Sequence, residues 1–158
     1  LYLTPSILAQ SELTGATYAN ERLNIRGNYY WSPFDRSTLA LQYQQSHLRG
    51  TVAFYDLALL GGFQTLRGYY LGRFRGKNLQ VLRGAWRQRL FKRWAAVVFG
   101  GTGRVSGEFS EIWQARLHFA GGLGVRFRPL ETSDLNVRLD LAWGDGSAQI
   151  YFGVGEAF

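Results

Sequence analysis

His47 and His118 are the two histidines of the 158-residue chain, which has no cysteine. His118 precedes Asp140 in a pattern that places both on polar faces of neighbouring strands. That pairing raises a Ser–His–Asp hydrolase, but no serine falls on the same polar face in the later strands, and without the nucleophile the constellation has no chemistry. No carboxylates stand at strand spacing around either histidine, so no metal site is expected. The glycines Gly101, Gly103 and Gly107 faintly suggest a phosphate loop. Their spacing is wrong and no helix pattern follows, so nucleotide binding is set aside. The expectation is a protein that is not an enzyme and carries no cofactor.

The remaining reactive type is arginine. The net charge is +7 and the isoelectric point is near 10.1, which admits nucleic-acid binding. The arginines do not cluster in runs, however. They alternate with apolar residues, as in Leu135–Leu141, where Leu135, Val137, Leu139 and Leu141 interleave with Asn136, Arg138 and Asp140. Period two is the signature of a strand with one apolar face. The same beat runs from Ala115 to Arg128. Alternation therefore gathers Arg22, Arg26, Arg83, Arg87, Arg116, Arg126, Arg128 and Arg138 on one face, with few acids opposite, and nucleic acid is not the expected partner.

About eight such strands are legible: Leu1–Ala9, Arg22–Trp31, Thr38–Leu48, Leu79–Leu90, Trp94 to Gly101, Trp113–Arg128, Leu135–Trp143 and Gln149–Phe158. Leu79 and Val81 are out of phase with Leu82 and Trp86, which predicts a bulge or an early loop. Most strands reach the ~9–11 residues that cross a bilayer at a tilt, whereas no run approaches the ~20 apolar residues of a membrane helix. The mean hydropathy of −0.15 is compatible with a membrane barrel, because its apolar residues alternate with polar ones. Trp31, Trp94, Trp113 and Trp143 fall near strand ends, where an aromatic girdle would lie. Short turns at Ser32–Arg36, Phe91–Arg93 and Pro129–Asp134 alternate with longer connections, of which 50–78 is the longest. That asymmetry matches short periplasmic turns and long external loops, and it places the C-terminus on the periplasmic side. The chain is thus expected to be all-β, a transmembrane antiparallel β-barrel domain over 1–158, with no signal peptide visible before Leu1. A soluble barrel is the rival, with its apolar face turned inward.

Five segments carry a family resemblance: GGFQTLRGYYLGRFRGKN (Gly61–Asn78), FGGTGRV (Phe99–Val105), GGLGVRF (Gly121–Phe127), NVRLDLAWG (Asn136–Gly144) and the terminal YFGVGEAF. In order and spacing, over Leu59–Phe158, they resemble the C-terminal half of the bacterial surface antigen superfamily, which includes the BamA and TamA assembly barrels and the two-partner secretion transporters. The resemblance implies half of a sixteen-stranded barrel, completed by a missing N-terminal half or by a second copy. It implies a bacterial outer-membrane location, contact with membrane lipid and lipopolysaccharide, and an unfolded β-barrel or secreted polypeptide as client. It also implies that loop 50–78 folds back and latches through Leu66, Arg67, Gly68 and Tyr69. The family's F-x-D-x-G strand motif corresponds to Phe99–Gly103, with Gly101 at the acidic position. Asp140 is the expected substitute partner for Arg67, with Phe99 and Arg87 as further expected latch partners; Ala85 stands at the family's glutamate. Gly153 and Phe158 resemble its insertion signal, although Glu156 departs from the usual apolar residue. An eight-stranded closed barrel would be too narrow for the loop, so the loop would stay outside if the chain closed alone. A structural or passive-pore barrel without protein clients is the alternative function.

Overall fold

The computed structural model describes residues 2–10, 20–129 and 136–155. Eight strands form one antiparallel sheet in the order β1 (Tyr2–Gln10), β2 (Asn20–Trp31), β3 (Ser37–Gly50), β6 (Asn78–Arg89), β7 (Trp94–Ser106), β8 (His118–Phe127), β9 (Val137–Gly144) and β10 (Ser147–Val154). Every neighbour but one follows its predecessor directly in sequence. The exception is β3 to β6, where the chain leaves for 51–77, makes a 3-10 turn at Phe54–Asp56 and a small hairpin of β4 (Ala58–Leu60) with β5 (Phe74–Gly76), and returns to pair with β3. The sheet is not closed into a barrel: β1 and β10 are its two edges.

The pleat sorts the side chains into two unlike faces. On one face Phe152, Phe119, Val98, Leu123 and Leu139 lie bare, each more than half exposed. On the other lie Gln42, Ser46, Arg83, Arg126, Arg138 and Asp140, all buried. We call these the open and the covered face. The excursion 51–77 does the covering. Leu60, Leu66 and Tyr69 from the loop pack with Leu48, Leu79 and Val81 from β3 and β6 in one apolar cluster.

That packing corrects the expected bulge. The β3–β6 and β6–β7 registers run without interruption through Leu79 and Val81. Both residues share the covered face with Arg83. They are apolar because the loop's leucines sit on them, so an apolar residue on the polar face marks where the excursion lands. Strand boundaries also differ from the expected ones by one residue or more, and three of the differences have a plain cause. β7 continues to Ser106 because Leu79 and Val81 pair with Val105 and Gly103. β8 begins at His118 rather than Trp113, because 109–115 folds into helical turns closed by bonds such as Gln114 N–H to Glu111 O, with Ile112 as their buried anchor. Trp113 therefore stands outside any strand, beneath the Arg104 guanidinium. β10 starts two residues early because Asp145 and Gly146 adopt positive φ and turn the chain in two residues. The Asp-Gly pair suits a tight hairpin turn. Of the expected turn at Pro129–Asp134 only Pro129 is among the described residues, and Phe158 lies outside them.

Candidate functional site: a loop latched to the covered face

The tip of the excursion, Leu66–Tyr69, is wholly buried against β7, β8, β9 and β10. Arg67 donates from Nη1 to Asp140 Oδ2 at 2.7 Å, and its guanidinium lies over the Phe99 ring at 3.5 Å. Asp140 is fully buried, and its other oxygen accepts from Arg126 Nη1 at 2.5 Å. One carboxylate thus holds two guanidiniums, one from the loop and one from β8. A buried charge is costly unless paired and hydrogen-bonded; this one is both. Burial pulls the Arg67 guanidinium below its usual range, and Asp140 acts against that pull.

Gly68 crosses close over the sheet, with φ +116 and room for no side chain: a Cβ there would lie 2.7 Å from the Trp143 carbonyl. Its N–H donates to the Tyr151 hydroxyl at 3.0 Å, which in turn donates to Tyr69 O at 2.9 Å. The Tyr69 hydroxyl donates to Phe119 O at 3.0 Å. The sheet makes space for all this with glycines on the covered face. A Cβ at Gly122 would lie 2.6 Å from the Phe99 ring, one at Gly124 2.1 Å from Asp140 Oδ1, and one at Gly144 2.7 Å from the Tyr69 ring. Glycine inside a strand weakens it and marks close approach of another group; here the group is the loop.

The structure brings together Leu66, Arg67, Gly68, Tyr69, Phe99 and Asp140. Arg87 stands on the same face, diagonal to Phe99 across the β6–β7 pair. It shares a rung with Asp140 through Val97 and Gly124, but three strand spacings separate the two, about 14 Å. The charges weighing on Arg67 are those of Asp140, Arg126 and Arg138. From β6 it is Arg83 that grips the loop, donating from Nη1 to Phe63 O at 3.3 Å and from Nε to Gln42 Oε1 at 2.9 Å. Gly153 lies on the covered face of β10, beside Arg138. Tyr151 and Arg126 escape the sequence reading as latch residues. Their covered-face phase was the available signal. Arg116 lies outside the strands, and Arg22 reaches the Asp56 carbonyl. The described residues contain no cluster of three or more potential metal ligands. No protein-family model matches the chain, and no curated protein matches it.

Proposed function

We propose that the chain is one half of a sixteen-stranded outer-membrane β-barrel of the bacterial surface antigen superfamily, and that it inserts or translocates polypeptides. One observation carries the reading: the greasy side of an open antiparallel sheet lies bare while the charged side is buried under the chain's own loop. A water-soluble sheet buries the opposite side, and a continuous exposed apolar surface of this extent marks an interface with lipid or protein. The apolar band on β8 runs from Phe119 to Phe127. At about 3.4 Å per residue that is about 27 Å along the strand, close to a bilayer-crossing band once tilted. The two free edges, β1 and β10, leave a place for the other half of the wall.

The mechanism is physical rather than chemical. A latched loop lines the covered face, and an edge strand with unpaired N–H and C=O groups offers a template to a client strand. The Arg67–Asp140 pair holds the loop out of the client's way or releases it. In reconstituted membranes Arg67→Ala is expected to change both conductance and the rate at which a β-barrel client assembles. If both stay at the wild-type level while the loop is demonstrably released, the passive-pore reading replaces this one.

A further inference from the structure

Arg138 is a buried guanidinium for which the latch has no use. It is 5% exposed, and its Nε and Nη1 have no hydrogen-bond partner among the described residues. Asp140, two residues on, is already shared by Arg67 and Arg126. The Arg138 side chain leans away from them, towards the edge. It stands opposite Gly153 in the β9–β10 register, and a Cβ at Gly153 would lie 2.9 Å from its Nε and 3.3 Å from its Nη2. The guanidinium therefore lies across β10 where β10 has no side chain. Phe63 of the excursion covers it, with the ring centroid 5.3 Å away. Beyond Gly153 the sheet ends.

A guanidinium reaching over an edge strand reads the next strand. We propose that the segment pairing with β10 is a strand of different sequence that places an aspartate or glutamate opposite Gly153, on the covered face, where Arg138 receives it. Charge complementarity selects the residue type, since a buried cation with open N–H groups is matched by a carboxylate. The chain's own edge strands, as described, supply no such residue. Neither β1 (YLTPSILAQ) nor β10 (SAQIYFGV) contains an acid, so a second copy joining edge to edge leaves Arg138 unmatched. Gly153 is then glycine because a side chain there would block the guanidinium's path to the incoming strand. The inference rests on the incomplete-barrel reading and deepens it, by giving the edge a chemical preference.

The test is tethering to the full chain in detergent micelles, which the absence of cysteine makes clean. Phe152→Cys puts a thiol on the open face of β10. Two nine-residue peptides of alternating valine and serine carry a cysteine next after a central aspartate or a central asparagine. An antiparallel peptide whose cysteine meets position 152 sets its central residue opposite Gly153. The mixed disulfide is equilibrated against glutathione. The aspartate peptide is expected to be captured about tenfold better, the scale of one charge-assisted hydrogen bond. Arg138→Gln should abolish the preference and Arg138→Lys should restore most of it. Equal capture of the two peptides by the Arg138 protein overturns the proposal and leaves edge docking standing. Capture of neither above a Phe34→Cys control overturns edge docking and the proposal together. The comparison of peptides on the Arg138 background holds whether or not the glutamine variant folds.

Discussion

Asp140→Asn removes one charge and no volume, and its effect follows from what surrounds it. The carboxylate is fully buried and accepts from Arg67 at 2.7 Å and Arg126 at 2.5 Å, with Arg138 nearby. Neutralising it leaves Arg67 and Arg126 facing one another without their common anion. Removing one partner of a buried pair costs about 3–5 kcal/mol. The cost can be relieved locally, because Arg67 belongs to a loop and can leave, whereas Arg126 and Arg138 belong to strands held by continuous ladders. The variant is therefore expected to unlatch rather than unfold. Native-state hydrogen exchange reads this directly. The Gly68 N–H bonds to the Tyr151 hydroxyl of β10 and reports the latch directly; the Gly62 N–H bonds to Tyr69 O within the loop and is buried with it. With each 1.4 kcal/mol worth tenfold, their exchange should accelerate by about a hundredfold or more, while amides in the β6–β9 ladders keep their protection. Loop amides that stay within threefold of wild type would refute the reasoning. So would uniform acceleration across the strands, since that would make Asp140 a general stability residue and not a latch.

Gly68→Ala should release the same amides without touching a charge, because φ +116 and the Trp143 carbonyl both resist a methyl group; limited proteolysis of loop 50–78 should show faster cleavage than in wild type. Tyr151→Phe deletes the hydroxyl that joins Gly68 N–H to Tyr69 O. It should weaken the latch by about 1–3 kcal/mol, and loop exchange should rise less than in Asp140→Asn. Leu60→Ala opens a cavity where the hairpin meets β7, since Leu60 is fully buried and abuts Gly103. A loss of about 2–5 kcal/mol of unfolding free energy, read from the shift of the denaturant midpoint, is expected. A loss under 1 kcal/mol would mean the hairpin contributes little to stability.

The architecture was legible where alternation was clean. β9 reads perfectly from Val137 to Trp143 because nothing interrupts its two faces. β6 misleads because its first half is apolar on the side that elsewhere carries arginine. Period two cannot tell a bulge from a face that changes its covering, and only the excursion's leucines resolve it. The boundary at β8 fails for a different reason: Trp113, Ala115 and Leu117 keep the beat, but Ile112 anchors a turn that takes in the first two. Of the site, Arg67 with Asp140 and Phe99 could be written from the resemblance and the strand phase. Arg83 and Arg87 could not be ranked, because both face the same side of β6 and only the place along the strand where Phe63 of the loop lands separates them. The glycines Gly122, Gly124 and Gly144 were visible but ambiguous, since a gap in a strand shows its purpose only when its filler is placed.

The central claim is that the bare side of the sheet meets acyl chains. Single cysteines at positions 23 to 26 on β2, at 123 and 125 on β8 and at 139 and 141 on β9 can be spin-labelled in the otherwise cysteine-free chain after reconstitution into lipid. Collision rates with oxygen, which concentrates in the bilayer, and with a water-soluble nickel chelate are then compared. The account predicts a two-residue oscillation along β2, and Leu123, Val125, Leu139 and Leu141 high in oxygen contact and low in nickel contact. Low contact with both reagents at those four positions, or nickel contact exceeding oxygen contact, would contradict it.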